Sequence, residues 1–131
     1  NCVILDNLNT EAIETSLKCW GDDAYGQLGY GHTRDIGDNA NEMGDNLNFV
    51  NLGANVDVLK LVASIEHTCA IIDNKSTVAI DSLIKCWGRN NYGQLGQGST
   101  ETIGNTANEM GDNLSFTDIG IGTRAIKDPP L

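Results

Sequence analysis

Apolar positions in this chain come in short runs, and clusters of Gly, Asn and Asp separate one run from the next. No stretch keeps a helical period, so the runs are typical of strands and the clusters of turns. The pattern predicts eight strands, at residues 3–5, 17–20, 49–52, 58–64, 67–72, 83–87, 116–119 and 123–126. Segments 9–15 and 76–82 are predicted to be hairpin loops. We therefore expect an all-β fold.

The order of these elements repeats along the chain. Residues 19–53 recur at 86–120 with a constant offset of 67, and 22 of the 35 aligned positions are identical without a gap. A repeat of this length is one supersecondary unit, which buries its apolar face by stacking on a copy of itself. Each unit holds about four predicted strands, the content of one propeller blade. We divide the chain into two tandem units, 1–67 and 68–131.

The two ends of the chain continue the same phase. Its 131 residues are only slightly fewer than two periods of 67. A second copy placed head to tail would therefore continue the repeat with almost no break. We expect each chain end to be an incomplete blade. Two explanations stay open: the chain is part of a longer array, or separate chains join end to end.

Composition narrows the classes of partner. Lys and Arg total 8 against 18 Asp and Glu, giving a net charge of −10. Because such a surface repels phosphate backbones, we do not expect nucleic-acid binding. No apolar run approaches the roughly 18 residues of a membrane span, so none is predicted.

Two glycine-rich segments, 25–31 and 92–98, hold three glycines each. Glycine at this density indicates positive φ or close backbone approach, as at a corner between blades. The residues predicted to pack between neighbouring blades are Trp20, Tyr25, Leu28, Trp87, Tyr92 and Leu95.

The strings HTCAIID, KCWGRNNYGQLGQG and KCWGDDAYGQLGYG resemble the repeat of the regulator of chromosome condensation family, whose members fold as β-propellers. The resemblance implies two four-stranded propeller-like blades, as part of a larger propeller or of a head-to-tail assembly of blades. It also implies that residues 67–72 and 83–87 pair as a hairpin. The family's founding member exchanges nucleotide on a small GTPase, which needs a closed ring, and rings close with roughly 4 to 8 blades. Fold alone does not choose a function.

Four cysteines form two pairs, Cys2 with Cys19 and Cys69 with Cys86, each 17 residues apart. In the hairpin register that the resemblance implies, Cys69 faces Cys86, which predicts a cross-strand disulfide worth roughly 3 kcal/mol. Free half-buried thiols are the alternative, and zinc is a weaker one because no Cys-x-x-Cys pair is present. Disulfides imply an oxidising compartment, so we expect a secreted, extracellular protein.

Two glycosylation sequons begin at Asn74 and Asn113. The first falls in a predicted hairpin loop, where a glycan would project into solvent. We predict N-linked modification at Asn74 and, on weaker grounds, at Asn113.

The loops at 35–46 and 102–113 are rich in carboxylates and amides, the ligands that calcium prefers. The candidate ligands are Asp38, Asn39, Asn41, Glu42 and Asp45. The alternative is a turn-rich loop in which these side chains bond their own backbone. No other cofactor is expected.

No catalytic group is predicted. His32 is replaced by Ser99 in the second unit, and no base, nucleophile and orienter recur together. We predict a non-enzymatic extracellular structural protein that polymerises head to tail with identical subunits by sharing blade strands. The alternative is a fragment of a longer single-chain propeller that binds another protein, as an inhibitor or an exchange factor would.

Overall fold

The computed structural model describes residues 1–9, 14–78 and 81–120 of the chain. Five strands lie in this part: β1 (Cys2–Asp6), β2 (Thr15–Cys19), β3 (Val56–Ala63), β4 (His67–Asn74) and β5 (Leu83–Gly88). They form two antiparallel sheets, β1-β2 and β3-β4-β5. Two short 3-10 helices, Gly44–Asn46 and Gly111–Asn113, occupy matching places in the repeat. The all-β expectation is confirmed for the described residues.

The hairpins β1-β2 and β4-β5 are equivalent under the 67-residue offset. Cys2 lies directly opposite Cys19, and Cys69 lies opposite Cys86. Both pairs are bonded as disulfides in the structure. The hairpin register places each pair of sulfurs on adjacent strands at the same level, which is why these pairs form.

Two predicted strands are wrong in the described part of the chain. Residues 49–52 and 116–119 are irregular, and each adds one ladder-like bond, from Val50 N to Leu17 O (2.8 Å) and from Thr117 N to Ile84 O (2.9 Å). Asn51 Oδ1 and Asp118 Oδ1 accept from the backbone N–H groups two residues on, and these bonds compete with strand pairing. The described sheets therefore have two and three strands, where four per blade were expected. The strand predicted at 123–126 lies outside the described residues.

The two sheets are joined at β2 and β3. Thr15 Oγ1 donates to Val58 O (2.9 Å) and accepts from Val58 N (2.7 Å), beside a bulge in β3. The apolar core fills the space between the sheets and the loops, with Leu17, Leu28, Ile72, Trp87 and Leu95 among its most buried side chains. One sheet thus supplies part of the cover for the next, as expected for stacked repeat units.

Each hairpin is followed by a long loop that folds back onto it. Gly21 exchanges two backbone hydrogen bonds with Ile36, and Gly88 exchanges two with Ile103. These bridges hold the glycine-rich segment on one side of the unit and the acidic loop on the other. Among the described residues there is no helix long and apolar enough to cross a bilayer.

Candidate assembly interface

The glycine-rich loop of the first unit packs directly on the second unit. Gly31 N donates to Gly104 O (3.1 Å), and a Cβ added at Gly26 would overlap the backbone of Asn105. A Cβ at Gly29 would lie 2.7 Å from the indole nitrogen of Trp87. Glycine is required here because any side chain would separate the two units. We call this contact the internal junction.

Trp87 is the central apolar group of the internal junction. Its side chain is fully buried, and its indole Nε1 donates to Gln27 O at 3.0 Å. Thr68 Oγ1 donates to the same carbonyl at 2.9 Å. The second unit therefore satisfies a backbone acceptor of the first while covering an aromatic ring.

The side chain of Lys85 hydrogen-bonds to both units. Its Nζ donates to Leu52 O of the first unit and to Gly111 O of the second, both at 2.7 Å, and lies 5.0 Å from the Phe116 ring centre. Burial lowers the pKa of Lys85, while the charge of Asp112 acts in the opposite direction. A buried cation with two carbonyl acceptors ties the units together.

The surface of the first unit that is equivalent to this buried one is open. Met43 is 41% exposed, whereas its equivalent in the second unit, Met110, is 9% exposed. A Cβ at Gly44 would meet nothing within 4 Å. Lys18, the equivalent of Lys85, donates only to Gly44 O (3.2 Å) among the described backbone carbonyls. We call this surface the leading face, comprising Lys18, Trp20, Gly37, Met43 and Gly44.

On the second unit, the surface equivalent to the glycine-rich loop of the first unit is also open. A Cβ at Gly98 would meet nothing within 4 Å, and one at Gly93 would meet only Ser99 O at 4.0 Å. Both glycines nevertheless keep the positive φ of the internal junction, 71° and 72°. We call this surface the trailing face, comprising Tyr92, Gly93 and Gly98.

Tyr92 corrects the expectation that it packs between blades. It is 86% exposed, whereas its equivalent, Tyr25, is partly covered by the Arg89 guanidinium 4.9 Å from its ring centre. The neighbour that covers Tyr25 belongs to the following unit. No described residue occupies the corresponding place beside Tyr92.

The other residues predicted to pack between blades differ in how deeply they are buried. Leu28, Trp87 and Leu95 are buried, and Trp20 is only partly buried. Trp20 lies on the leading face, where Gly37 approaches its ring. Burial therefore follows the presence of a neighbouring unit for the two tryptophans, whereas Leu28 and Leu95 are buried in both units.

One of the predicted calcium ligands, Glu42, bonds the backbone of its own loop. Glu42 Oε2 accepts from Gly37 N (2.7 Å) and Asn39 N (3.1 Å), and these bonds lower the pKa of Glu42. Glu109 makes the same pair of bonds in the second unit. Across residues 1–9, 14–78 and 81–120, no group of three or more acidic, His or Cys side chains could hold a metal ion. Glu42 thus caps its own turn, and calcium binding by Asp38, Asn39, Asn41, Glu42 and Asp45 stays a prediction.

The two sequon asparagines occupy different settings. Asn74 ends β4, is partly buried, and accepts from Ser76 N through its Oδ1 (3.0 Å). Asn113 is exposed in a 3-10 helix, and its Nδ2 donates to Asn108 O (2.9 Å). Modification at either site stays a prediction.

One buried polar pair was missed at the sequence level. Asn90 in the second unit donates through Nδ2 to Ser99 O (3.0 Å) and Glu101 O (2.9 Å). Its equivalent, Asp23, is fully buried and has no amide hydrogens to donate. The sequence signal for this difference is that Asn90 and Ser99 of the second unit are replaced by Asp23 and His32 in the first.

One carboxylate oxygen of Asp23 accepts a hydrogen bond, and the other contacts an imidazole nitrogen that also contacts a backbone N–H. Its Oδ1 accepts from Leu28 N (2.9 Å), while its buried Oδ2 lies 3.1 Å from His32 Nδ1. The same His32 nitrogen lies 3.2 Å from Arg34 N. Burial raises the pKa of Asp23 to about 6, partly offset by the Leu28 bond and by His32. Charge at this corner of the loop therefore depends on pH.

Residues 86–122 match the model of one family, the regulator of chromosome condensation (RCC1) repeat. The matched residues all lie in the second unit. Repeats of this kind form β-propellers and serve as protein-interaction modules, and the match begins at Cys86 and spans the trailing face. No curated protein and no solved structure matched the chain.

Proposed function

We propose that this protein is a non-enzymatic extracellular assembly module whose copies join head to tail. The trailing face of one copy packs on the leading face of the next, as the first unit packs on the second at the internal junction. One observation carries the proposal: the open leading face is the 67-residue equivalent of a surface that is buried in the same chain.

The contact between copies has an apolar driving force. Met43 and Trp20 would take the places of Met110 and Trp87, and full burial of a large apolar side chain is worth roughly 1.5–3 kcal/mol. Gly93 and Gly98 leave room for the approaching backbone. Because the contact is heterologous, repetition produces a filament unless the rotation closes a ring.

The contact between copies differs from the internal junction beside the tyrosine. Arg89, which covers the ring of Tyr25, is replaced by Asp22 in the first unit. Tyr92 of one copy would therefore meet Asp22 of the next, and a phenol hydroxyl can donate to a carboxylate. This difference provides a substitution that acts on the contact between copies alone.

Two disulfides support the extracellular part of the proposal. All four cysteines are bonded, so none is left as a thiol. Stable disulfides are characteristic of oxidising compartments. The net charge of −10 is consistent with a surface that avoids nucleic acid.

The second candidate is a longer single-chain propeller that binds another protein. The same open faces favour it equally, because successive units of one polypeptide would use them in the same way. Intact mass of the native polypeptide separates the two candidates: many repeats in one chain support the propeller, and a chain of two units found in polymers supports the assembly module.

Sedimentation velocity and electron microscopy of the 131-residue chain test the assembly. We expect a concentration-dependent series of oligomers for the unmodified chain. Met43→Arg blocks the leading face, and Tyr92→Asp places a like charge against Asp22 on the trailing side. Val78→Arg changes an exposed side chain in the β4-β5 loop and is the matched control.

The mixture of the two blocked variants gives the sharpest result. Each alone should remain monomeric, but the intact trailing face of Met43→Arg can bind the intact leading face of Tyr92→Asp. The equimolar mixture should therefore stop at dimers, and the control should assemble like the unmodified chain. A monomeric unmodified chain, or blocked variants that still polymerise, would refute the proposal.

A further inference from the structure

A cleft on the first unit carries polar groups that the proposed assembly does not use. Its volume is about 510 Å³, which is within the usual range of small-molecule sites. It lies between residues 29–34, at the end of the glycine-rich loop, and residues 48–51. We call it the basic cleft, lined by Tyr30, His32, Arg34, Asn48, Phe49 and Asn51.

Tyr30 and Phe49 form the apolar wall of the basic cleft. The Tyr30 hydroxyl donates to Asn48 O at 2.9 Å, and burial raises the pKa of Tyr30, so the phenol keeps its proton. Because this bond joins the two segments, the cleft is formed before any ligand arrives. Phe49 is 58% exposed, with Lys18 Nζ 4.7 Å from its ring centre. Much of the Phe49 ring is therefore open to an apolar ligand.

A buried carboxylate stands behind His32. Asp23 is fully buried, and its Oδ2 lies 3.1 Å from His32 Nδ1 with no other hydrogen-bond partner among the described residues. An ionised Asp23 at this distance favours the imidazolium form of His32, in which both ring nitrogens are donors. Since Nδ1 faces Asp23, the donor left for a ligand in the cleft is Nε2–H.

The polar atoms that remain available at the basic cleft are mainly donors. Arg34 is exposed, and within residues 1–9, 14–78 and 81–120 it forms no ion pair. Asn51 Oδ1 accepts from Gly53 N (3.1 Å), which leaves the Nδ2 amide of Asn51 to donate. A guanidinium donates only, and its paired N–H groups match the two oxygens of a carboxylate. The donor set therefore favours a carboxylate over a neutral ligand.

The second unit lacks this donor set. Thirteen of the 35 aligned positions differ between the units, and five of these line the basic cleft. Arg34 is replaced by Glu101 and Asn51 by Asp118, so two acids stand where the first unit has donors. The residue equivalent to Tyr30, Gln97, still donates to the equivalent carbonyl, Ser115 O, at 3.2 Å. The bond between the two segments is thus kept in both units while the charge beside it reverses.

We propose that the basic cleft binds a small monocarboxylate, whose carboxylate is held by Arg34 and His32 and whose apolar ring packs on Phe49. The net charge of −10 disfavours ligands with many negative charges, so one carboxylate on an apolar body is the best match. Glu42 lines an adjoining cleft, but its Oε2 accepts from the backbone of its own loop. This site is additional to the proposed assembly and does not depend on it.

NMR titration of the 131-residue chain with three probes tests the proposal. Benzoate carries both the carboxylate and the ring, benzamide is its uncharged isostere, and acetate lacks the ring. We expect benzoate to shift the backbone amide signals of residues 30–34 and 48–51 with a Kd of about 1 mM. Benzamide and acetate should each bind roughly tenfold more weakly, because each lacks one of the two contacts.

Variants assign the binding to this cleft. Arg34→Gln should weaken benzoate binding roughly tenfold, and so should Asp23→Asn/His32→Ser, which gives the first unit the residues that the second unit already holds at this corner. Glu101→Gln changes the charge at the equivalent exposed position of the second unit and is the matched control, with unchanged affinity expected.

Three results would overturn the inference. They are equal affinity for benzoate and benzamide, normal benzoate binding by Arg34→Gln, and no shift of the cleft signals at benzoate concentrations far above the expected Kd. None of these results bears on the leading and trailing faces, so the proposed assembly would stand or fall on its own test.

Discussion

Replacement of Lys85 by Met tests whether one buried cation holds the internal junction. The Nζ of Lys85 makes two hydrogen bonds of 2.7 Å to carbonyls on different units, and the residue is 3% exposed. Methionine keeps the length of the apolar stem but leaves Leu52 O and Gly111 O without this donor.

Two opposing effects set the expected change in the free energy of unfolding. A hydrogen bond to a charged group contributes about 1.5–3 kcal/mol, so two bonds would suggest a loss of about 3–6 kcal/mol. Removal of the buried charge returns part of this, and the lowered pKa of Lys85 shows that its burial is costly. We expect Lys85→Met to reduce the free energy of unfolding by about 2–3 kcal/mol.

Equilibrium urea unfolding with both disulfides intact measures this change. Lys18→Met is the matched control, because Lys18 occupies the same repeat position on the open leading face and donates at 3.2 Å to a carbonyl of its own unit. We expect its effect to stay within about 0.5 kcal/mol. Equal losses for the two variants would refute the conclusion that Lys85 ties the units together.

Two further outcomes are expected. The folded-state pKa of Asp23 is raised from 3.8 to about 6, so its protonated form stabilises the protein below about pH 4 and this contribution is lost as the pH rises through 6. Asp23→Asn, which restores the amide found at Asn90, should remove that dependence and raise the free energy of unfolding at pH 7 by about 1–3 kcal/mol; parallel urea-derived stability profiles for the two proteins between pH 4 and 8 would contradict this. Replacement of Cys69 and Cys86 by Ala should cost about 3 kcal/mol in the same assay, since the bond closes a loop of 17 residues. Alkylation of the denatured, unreduced chain should label no cysteine, and four labelled cysteines would argue against the disulfides and an extracellular location.

The two repeat units show which parts of the fold depend on local sequence. Strand positions, hairpin pairing and the opposed cysteines depend on segments fewer than 25 residues apart, within one unit. The β-prone apolar content of residues 49–52 and 116–119 predicts strands there. The side chains of Asn51 and Asp118 instead accept from Gly53 N and Gly120 N, a competition that apolar patterning does not reveal.

The candidate interface was only partly accessible from sequence. The glycines and aromatic residues of the packing corner were identified from composition, but identical residues in the two units have different surroundings. Met43 and Met110, like Tyr25 and Tyr92, differ in exposure because only one member of each pair has a neighbouring unit. For the acidic loop the sequence leaves calcium binding and self-bonded turns both open, and it does not reveal that Glu42 accepts from Gly37 N and Asn39 N.

The sequence by itself determined the repeat and its period, and its resemblance to a known repeat implied the hairpins and the facing cysteines, because all of these are properties of a single unit or of its recurrence. Only the tertiary structure decided which copy of each repeated residue is buried, where Lys85 donates, and that Asp23 lacks the donor its equivalent Asn90 provides. These properties depend on contacts between units, and the contacts depend on which side of a unit is covered.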